Sequence, residues 1–327
     1  MKEYTFSVSG ALGVVGSTMV KILEEYDLPI KHLKLLEGPG FDGVPVQFKG
    51  KTLYTELSRP EAFDDVDVAL FATQAEISAK VAPEAAKRGA IVIDNSSHYR
   101  LDPAVPLIIP EVNPDDVSWH KGIIANPNCT TTGLLVVIKP LYDLSKIKRV
   151  VASTYQATSG AGKAGPDELM KQSLAIASGE EPEAPSVFSK QIAFNVIPLI
   201  DAPSDGGYSK EELKMLNETH KMMNDNDIKV TSTSVRVPVV NGHSISVNIE
   251  TERKITVAEA REALSKAPGV KLVDDLSQMQ FPTPLDASGI SPTLVGRIRE
   301  DFSIENGLNL FLSSDNVRKG ASQNAVQ

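Results

Sequence analysis

The chain has 327 residues, 41% hydrophobic and 23% charged, an ordinary balance for a globular protein with room for two domains. A net charge of −9 and a pI near 5.2 exclude the clustered basic face of a nucleic-acid-binding surface, and no apolar run approaches the roughly 18 residues of a membrane span. A single cysteine excludes a disulfide framework. With a start, Met1-Lys2-Glu3-Tyr4, that lacks a charged-then-apolar leader, it points to a reducing, cytoplasmic setting and to small-molecule chemistry.

The first 150 residues alternate short β-rich runs with helical stretches, the pattern of parallel βαβ units. Strands are expected over 4–9, 33–36, 66–72, 90–94, 106–109 and 122–125, and helices over 17–25, 76–88 and 131–142. The first strand runs into Gly10-Ala11-Leu12-Gly13-Val14-Val15-Gly16-Ser17 and then a helix. Glycines three apart at such a turn let the backbone approach a pyrophosphate and aim helix N–H groups at it. The spacing is G-x-x-G-x-x-G rather than G-x-G-x-x-G, and a glycine turn chosen for tight packing alone looks the same. Glu37 closes the second strand, where an acidic side chain takes the 2′-hydroxyl of an adenosine ribose, or where a loop carboxylate is simply solvated.

Further along, Ala125-Asn126-Pro127-Asn128-Cys129-Thr130-Thr131-Thr132 turns a strand-like run into a helix-like one that continues from Leu134 to Ile138. Cys129 would lie at a helix N-terminus, where N–H groups and the helix dipole favour a thiolate. A nucleophile belongs in such a place, and a buried structural thiol also fits. Beyond residue 150 the strands lengthen, at 228–240 and 244–251, around helices at 167–177 and 209–223, which describes a second domain with a mostly antiparallel or mixed sheet. Residues 153–162 form a strand followed by a small-residue loop. Val235-Arg236-Val237-Pro238-Val239-Val240-Asn241-Gly242-His243-Ser244 sets an arginine and a histidine seven apart across a bend. Histidine carries protons near neutral pH and arginine grips carboxylates in bidentate fashion, although a turn histidine and a surface arginine would fit the same string. A strand at 308–313 and a helix at 315–326 would return the chain to the first domain. The five histidines are scattered and no cysteine pair exists, so no metal site is indicated.

Taken together these segments resemble the aspartate-β-semialdehyde dehydrogenase family over nearly the whole chain. The resemblance is carried by Asp94-Asn95-Ser96-Ser97, Pro110-Glu111-Val112-Asn113-Pro114, the 126–130 run, 153–162 and Ile192-Ala193-Phe194-Asn195-Val196-Ile197-Pro198. It continues through Asn217-Glu218-Thr219, 236–244, Val295-Gly296-Arg297-Ile298-Arg299 and Asp315-Asn316. It implies an α/β fold: a Rossmann-type dinucleotide-binding domain over 1–127, rejoined by 314–327, and an α+β catalytic and dimerisation domain over 128–313. It also implies a homodimer or homotetramer with no nucleic-acid or membrane partner. In roles, it makes Cys129 the nucleophile, His243 the general acid/base and Gln156 the residue that orients thiol and substrate. Arg236 would clamp the substrate carboxylate and Glu218 receive its amino group, while Lys221, Arg100 and Asn128 would form the phosphate site. Gly10, Leu12, Gly13, Val14, Val15, Glu37 and Asn316 would meet the cofactor. The chemistry implied is a Cys129 thioester linking aspartate semialdehyde, a nicotinamide cofactor and phosphate, run toward the semialdehyde in amino-acid biosynthesis.

The departures from the family pattern gather at the cofactor. Leu12 stands where the family has a threonine; Glu37-Gly38-Pro39-Gly40-Phe41-Asp42-Gly43 replaces a serine- and arginine-bearing loop that holds the NADP 2′-phosphate; and Ala72-Thr73-Gln74-Ala75-Glu76 replaces a small glycine-containing loop. A carboxylate repels a 2′-phosphate and accepts a hydrogen bond from a 2′-hydroxyl. Three readings follow: an NADP enzyme with a relocated phosphate contact, a switch to NAD, or a relative that forms the aspartyl thioester on Cys129 and passes it to another nucleophile without hydride chemistry.

Overall fold

A computed structural model describes residues 2–327. The chain forms two compact units, one running up to Asn128 and taking in Ala321–Gln327, the other spanning Cys129–Gly320.

The first unit contains β1 (Tyr4–Ser9), α1 (Val14–Glu25), β2 (Ile30–Glu37), β3 (Pro45–Phe48), β4 (Lys51–Leu57), β5 (Val68–Phe71), α2 (Ala75–Lys87), β6 (Ile91–Asp94) and β7 (Ile123–Ala125). The strand order is β3-β4-β2-β1-β5-β6-β7, parallel throughout except for the β3–β4 hairpin. Strand order reverses direction between β1 and β5, so the loops after these two strands flank the crevice where doubly wound sheets bind ligands. Helix α1 buries Met19, Val20, Ile22 and Leu23, and of these Met19, Val20 and Leu23 share one core cluster with Val8, Leu35 and Leu70 of the sheet.

Sterics at the crevice require glycine. Gly10 has φ +79°, and a Cβ there would lie 2.6 Å from the Ala72 carbonyl oxygen in the loop after β5. A Cβ on Gly16 would collide with the Gly10 carbonyl, so the first turn of α1 rests directly on the turn before it.

In the second unit, α3 (Cys129–Leu144) leads into β8 (Ile147–Gln156), α4 (Ala164–Ala177), α5 (Lys210–Met223), β9 (Lys229–Arg236) and β10 (His243–Thr251). There follow α6 (Val257–Lys266), β11 (Val270–Leu272), α7 (Pro284–Ala287), β12 (Thr293–Glu300) and β13 (Gly307–Ser314). The sheet is mixed, with order β11-β12-β13-β10-β8-β9. Helix α3 is apolar nearly all round and buried accordingly, while α5 and α6 begin with capping boxes at Ser209/Glu212 and Thr256/Glu259.

Several expected elements differ. Residues 106–109 form no strand beyond one bridge, Leu107 to Ala125: Pro106 lacks an N–H, and the Asn113 side chain takes the Leu107 carbonyl and the Ile109 N–H. The strand expected over 228–240 stops at Arg236, because Pro238 cannot donate and the Val239 and Val240 carbonyls accept from Thr158 and Ser159 instead. The β3–β4 hairpin was missed; its turn at Lys49-Gly50, both at positive φ, is short and its strands are largely exposed. The helix expected over 315–326 is a π-helical turn at Arg318–Ser322 followed by α8 (Gln323–Val326), whose Ala325 packs in the first unit's core. Among the described residues no helix is long and apolar enough to cross a membrane.

The crowding at Gly16 makes a direct prediction. Gly16→Ala should lower unfolding stability by ~1–3 kcal/mol, as overpacking does. Gly38→Ala, where a Cβ meets nothing within 4 Å, should be neutral or mildly stabilising. Denaturant midpoints of the two variants check this.

Candidate active site

Strand register assembles the site in the second unit. Parallel pairing of β8 with β9 sets Gln156 directly beside Arg236, and antiparallel pairing of β8 with β10 sets Tyr155 opposite Ser244, next to His243. All three side chains are buried: Gln156 is 2%, Arg236 7% and His243 1% exposed. The backbone of Ala157 ties two of them together. Its N–H donates to His243 Nδ1 at 3.0 Å, and its carbonyl accepts from Arg236 Nη1 at 2.6 Å.

The proton on His243 follows. A ring nitrogen that accepts from a backbone N–H carries no hydrogen, so the neutral imidazole has its proton on Nε2. Burial, and secondarily the Arg236 charge, hold the His243 pKa well below 6.5, which keeps the ring neutral. Nε2 is buried without a protein partner, a donor held ready for an atom that the chain itself does not supply.

Cys129 is the first residue of α3 and is half-buried, at the helix N-terminus that the sequence suggested. Burial lowers the Arg236 pKa, while the negative charges of Cys129 and Glu211 act on it in the opposite direction, so all three groups share one electrostatic environment. Glu211, 4% exposed on the first turn of α5, accepts from Gln156 Nε2 at 3.1 Å and from Thr130 Oγ1 at 3.5 Å, and pairs with Lys214 at 3.1 Å. Thr154 donates to Gln156 Oε1 at 3.0 Å and so fixes the amide with its NH2 toward Glu211.

The acid and the lysine that α5 brings to the cluster are Glu211 and Lys214; Glu218 and Lys221 lie two turns, about 10 Å, further along the helix. Both pairs have the same Glu-x-x-Lys spacing, and a Glu-Thr string drew the assignment to the second. Asn316, expected at the cofactor, accepts from the Gly242 N–H at 3.0 Å and donates to Ser159 Oγ at 2.9 Å, holding the backbone next to His243.

In the first unit, Gly13 caps α1 without a side-chain hydrogen bond, so the first-turn N–H groups, beginning with Val14 and Val15, suit an anion. Glu37 reaches this turn: its Oε1 accepts from the Leu12 N–H at 2.6 Å. The two features expected at a dinucleotide therefore meet, and the glycine cradle and the ribose-side carboxylate fit such a cofactor. The loop 37–43 has no cation, but Ser58 donates its N–H to the Glu37 carbonyl, and the next residue, Arg59, lines a cavity with Asp42, Gly43 and Lys34. Arg59 was overlooked because β4 was. Arg100 donates to the carbonyls of Asn126 and Asn95 at 2.9 and 2.8 Å, and Asn128 is buried at the end of this unit.

Sequence patterns agree with this anatomy. Residues 6–120 match the family described as semialdehyde dehydrogenase, NAD binding domain, and residues 138–319 match semialdehyde dehydrogenase, dimerisation domain, which defines an oxidoreductase of the semialdehyde dehydrogenase class. The aspartate-semialdehyde dehydrogenases of Aquifex aeolicus (strain VF5) and Bacillus subtilis (strain 168) are 47% and 46% identical to it, over 99% and 98% of this chain and 96% and 95% of theirs. The crystal structure of aspartate semialdehyde dehydrogenase II complexed with ASA from Vibrio cholerae superposes with a TM-score of 0.97 at 44% identity, covering 100% of this chain and 97% of that one. The Candida albicans enzyme with NADP, 22% identical, shares the fold with a TM-score of 0.77 over 99% of this chain and 97% of its own. The chain belongs to the aspartate-semialdehyde dehydrogenase family.

His243 also predicts a pH dependence. Its folded pKa is depressed, so below pH 6.5 the unfolded chain takes up a proton that the folded chain refuses, and stability falls toward acid. Between pH 7.5 and 5.5 this group should remove up to about 1.4 kcal/mol, and His243→Gln should lack that component. Denaturant unfolding of both proteins at the two pH values checks it.

Proposed function

We propose that this chain interconverts aspartate β-semialdehyde and β-aspartyl phosphate through a thioester on Cys129. The observation that carries the reading is the backbone of Ala157, which holds Arg236 and His243, with its unpartnered Nε2–H, together in the unit whose α3 begins with Cys129.

In the oxidative direction Sγ of Cys129 adds to the aldehyde carbon to give a thiohemiacetal. A nicotinamide dinucleotide held by the glycine-rich turn at Gly10 and Gly13 and by the Glu37 carboxylate would supply the hydride acceptor that turns this adduct into the thioester. An oxygen of inorganic phosphate then attacks the thioester carbonyl and expels the Cys129 thiolate, leaving β-aspartyl phosphate. His243 Nε2–H donates to the substrate oxygen and stabilises charge that builds there. The general acid/base role suggested by resemblance would require Nδ1 to be released from Ala157. Gln156 orients substrate and thiol, Arg236 binds the carboxylate and Glu211 the amino group. Lys214 serves phosphate. The first unit acts as the dinucleotide-binding domain, and the second as the catalytic and dimerisation domain of a cytoplasmic homodimer.

For the cofactor we favour NAD. A carboxylate held at the glycine-rich turn accepts from a ribose 2′-hydroxyl and repels a 2′-phosphate. Arg59 supports a second reading, NADP held from β4.

One assay addresses these assignments: phosphate-dependent reduction of NAD and of NADP at 340 nm with aspartate semialdehyde. Cys129→Ala should lose at least about 10³-fold in rate. Glu37→Ala should lower the NAD-to-NADP preference by about tenfold. Retained turnover in the first variant removes the covalent mechanism, and an Arg59→Ala variant that alone loses NADP activity supports the second cofactor reading. In the same assay Glu211→Gln should raise the semialdehyde KM by about 10- to 100-fold, the range for a hydrogen bond to a charged group, whereas Glu218→Gln should change it less than about threefold.

A further inference from the structure

Arg236 is held by more than its strand. Besides the bond from Nη1 to the Ala157 carbonyl, its Cζ lies 5.7 Å from the centroid of the Phe188 ring, within cation–π range. A third side is kept open: a Cβ on Gly160 would come 2.8 Å from Nη1. Burial desolvates the guanidinium, the condition under which an aromatic face attracts it most.

Phe188 belongs to no helix or strand. It lies in the irregular segment between α4 and α5, just after Glu180-Glu181-Pro182-Glu183-Ala184-Pro185, a string with no apolar periodicity to order it. Helix α4 supplies the order. The buried Glu168 carboxylate accepts from the Ser186 N–H and hydroxyl, both at 2.8 Å, and from the Val187 N–H at 2.7 Å. Burial alone would raise the Glu168 pKa, but these donors outweigh it and keep the carboxyl below its usual range. Four residues along α4, Gln172 accepts from the N–H groups of Ile192 and Ala193 at 2.9 and 3.1 Å and donates to Glu168 at 3.3 Å. Phe188 is thus stapled on both flanks, and its ring packs on Leu169, Ile192, Ala193 and Ile197. None of this machinery takes part in the chemistry proposed for Cys129.

We propose that Phe188 is a positioning residue that determines specificity: its ring is the shelf that sets the Arg236 guanidinium for the substrate carboxylate, and the Glu168–Gln172 pair is the staple that delivers the ring. The inference rests on the reading of Arg236 as the carboxylate clamp.

Steady-state kinetics of Phe188→Leu, Phe188→Tyr, Glu168→Gln and Arg236→Lys test it, with KM measured separately for aspartate semialdehyde, phosphate and the dinucleotide. Phe188→Leu should raise the semialdehyde KM about tenfold, the size of a desolvated cation–π contact, with kcat within about threefold and the other two KM values unchanged. Phe188→Tyr, which keeps the aromatic face, should stay within about twofold of the parent. Glu168→Gln should reproduce the selective rise; if it fails to fold, Phe188→Leu still decides. An unchanged semialdehyde KM in Phe188→Leu overturns the proposal, and so does an equal rise in all three KM values, which would mark general loosening. Arg236→Lys separates the two claims. If it leaves the semialdehyde KM unchanged, the clamp reading itself fails; if it raises that KM while Phe188→Leu does not, only the shelf fails.

Discussion

The backbone of Ala157, its N–H in one peptide group and its carbonyl in the next, is the constraint on which the cluster in the second unit depends. It follows the last residue of β8, and its two polar atoms are both used, the N–H by His243 and the carbonyl by Arg236. Each bond is worth only about 1 kcal/mol net, but an unmade one in a buried site costs more, so the pair fixes both side chains. The bond also chooses the histidine tautomer. A strand end thereby sets what kind of acid His243 is, and it does so through backbone geometry that any side chain at position 157 would share.

Around this residue the charges are balanced in sequence. Arg236 is desolvated and faces the charge of Cys129 and Glu211; Glu211 in turn is met by Gln156, Thr130 and Lys214, and Lys214 by Asp201. Burial opposes the charge on Lys214, but the carboxylates of Glu211 and Asp201 keep its pKa above the ordinary value. A zwitterionic substrate presents one carboxylate and one ammonium group, and a site that already alternates cation and anion can receive both without leaving either of its own charges unpaired.

Much of the architecture was legible in the sequence. The βαβ alternation, the glycine turn after β1 and the placement of Cys129 at the head of a helix all rest on local periodicity and turn chemistry, and such signals survive folding. What escaped depended on partners distant in sequence. The false strand at 106–109 lost its donors and acceptors to Asn113; the overlong strand ended where Thr158 and Ser159 claimed its carbonyls; and the β3–β4 hairpin has too little buried surface to show alternation. Cys129, Gln156, Arg236 and His243 stand in ordered strings, but nothing in those strings says that the backbone of one residue, Ala157, links the last two.

Helix α5 carries two candidate Glu-x-x-Lys pairs. Glu211-Lys214 and Glu218-Lys221 are seven residues apart, almost two full turns, so both pairs project from nearly the same face, and periodicity cannot separate them. Only depth along the helix distinguishes them, and depth is set by where α5 begins. Ser209 starts the helix with a capping box, and Glu212 also accepts the Ser234 N–H on β9, two residues before Arg236. That bond pins the first turn of α5 to the end of β9 that carries Arg236. The first Glu-x-x-Lys pair is therefore delivered to the cluster, and a cap at the helix start sets which turn of α5 meets Gln156.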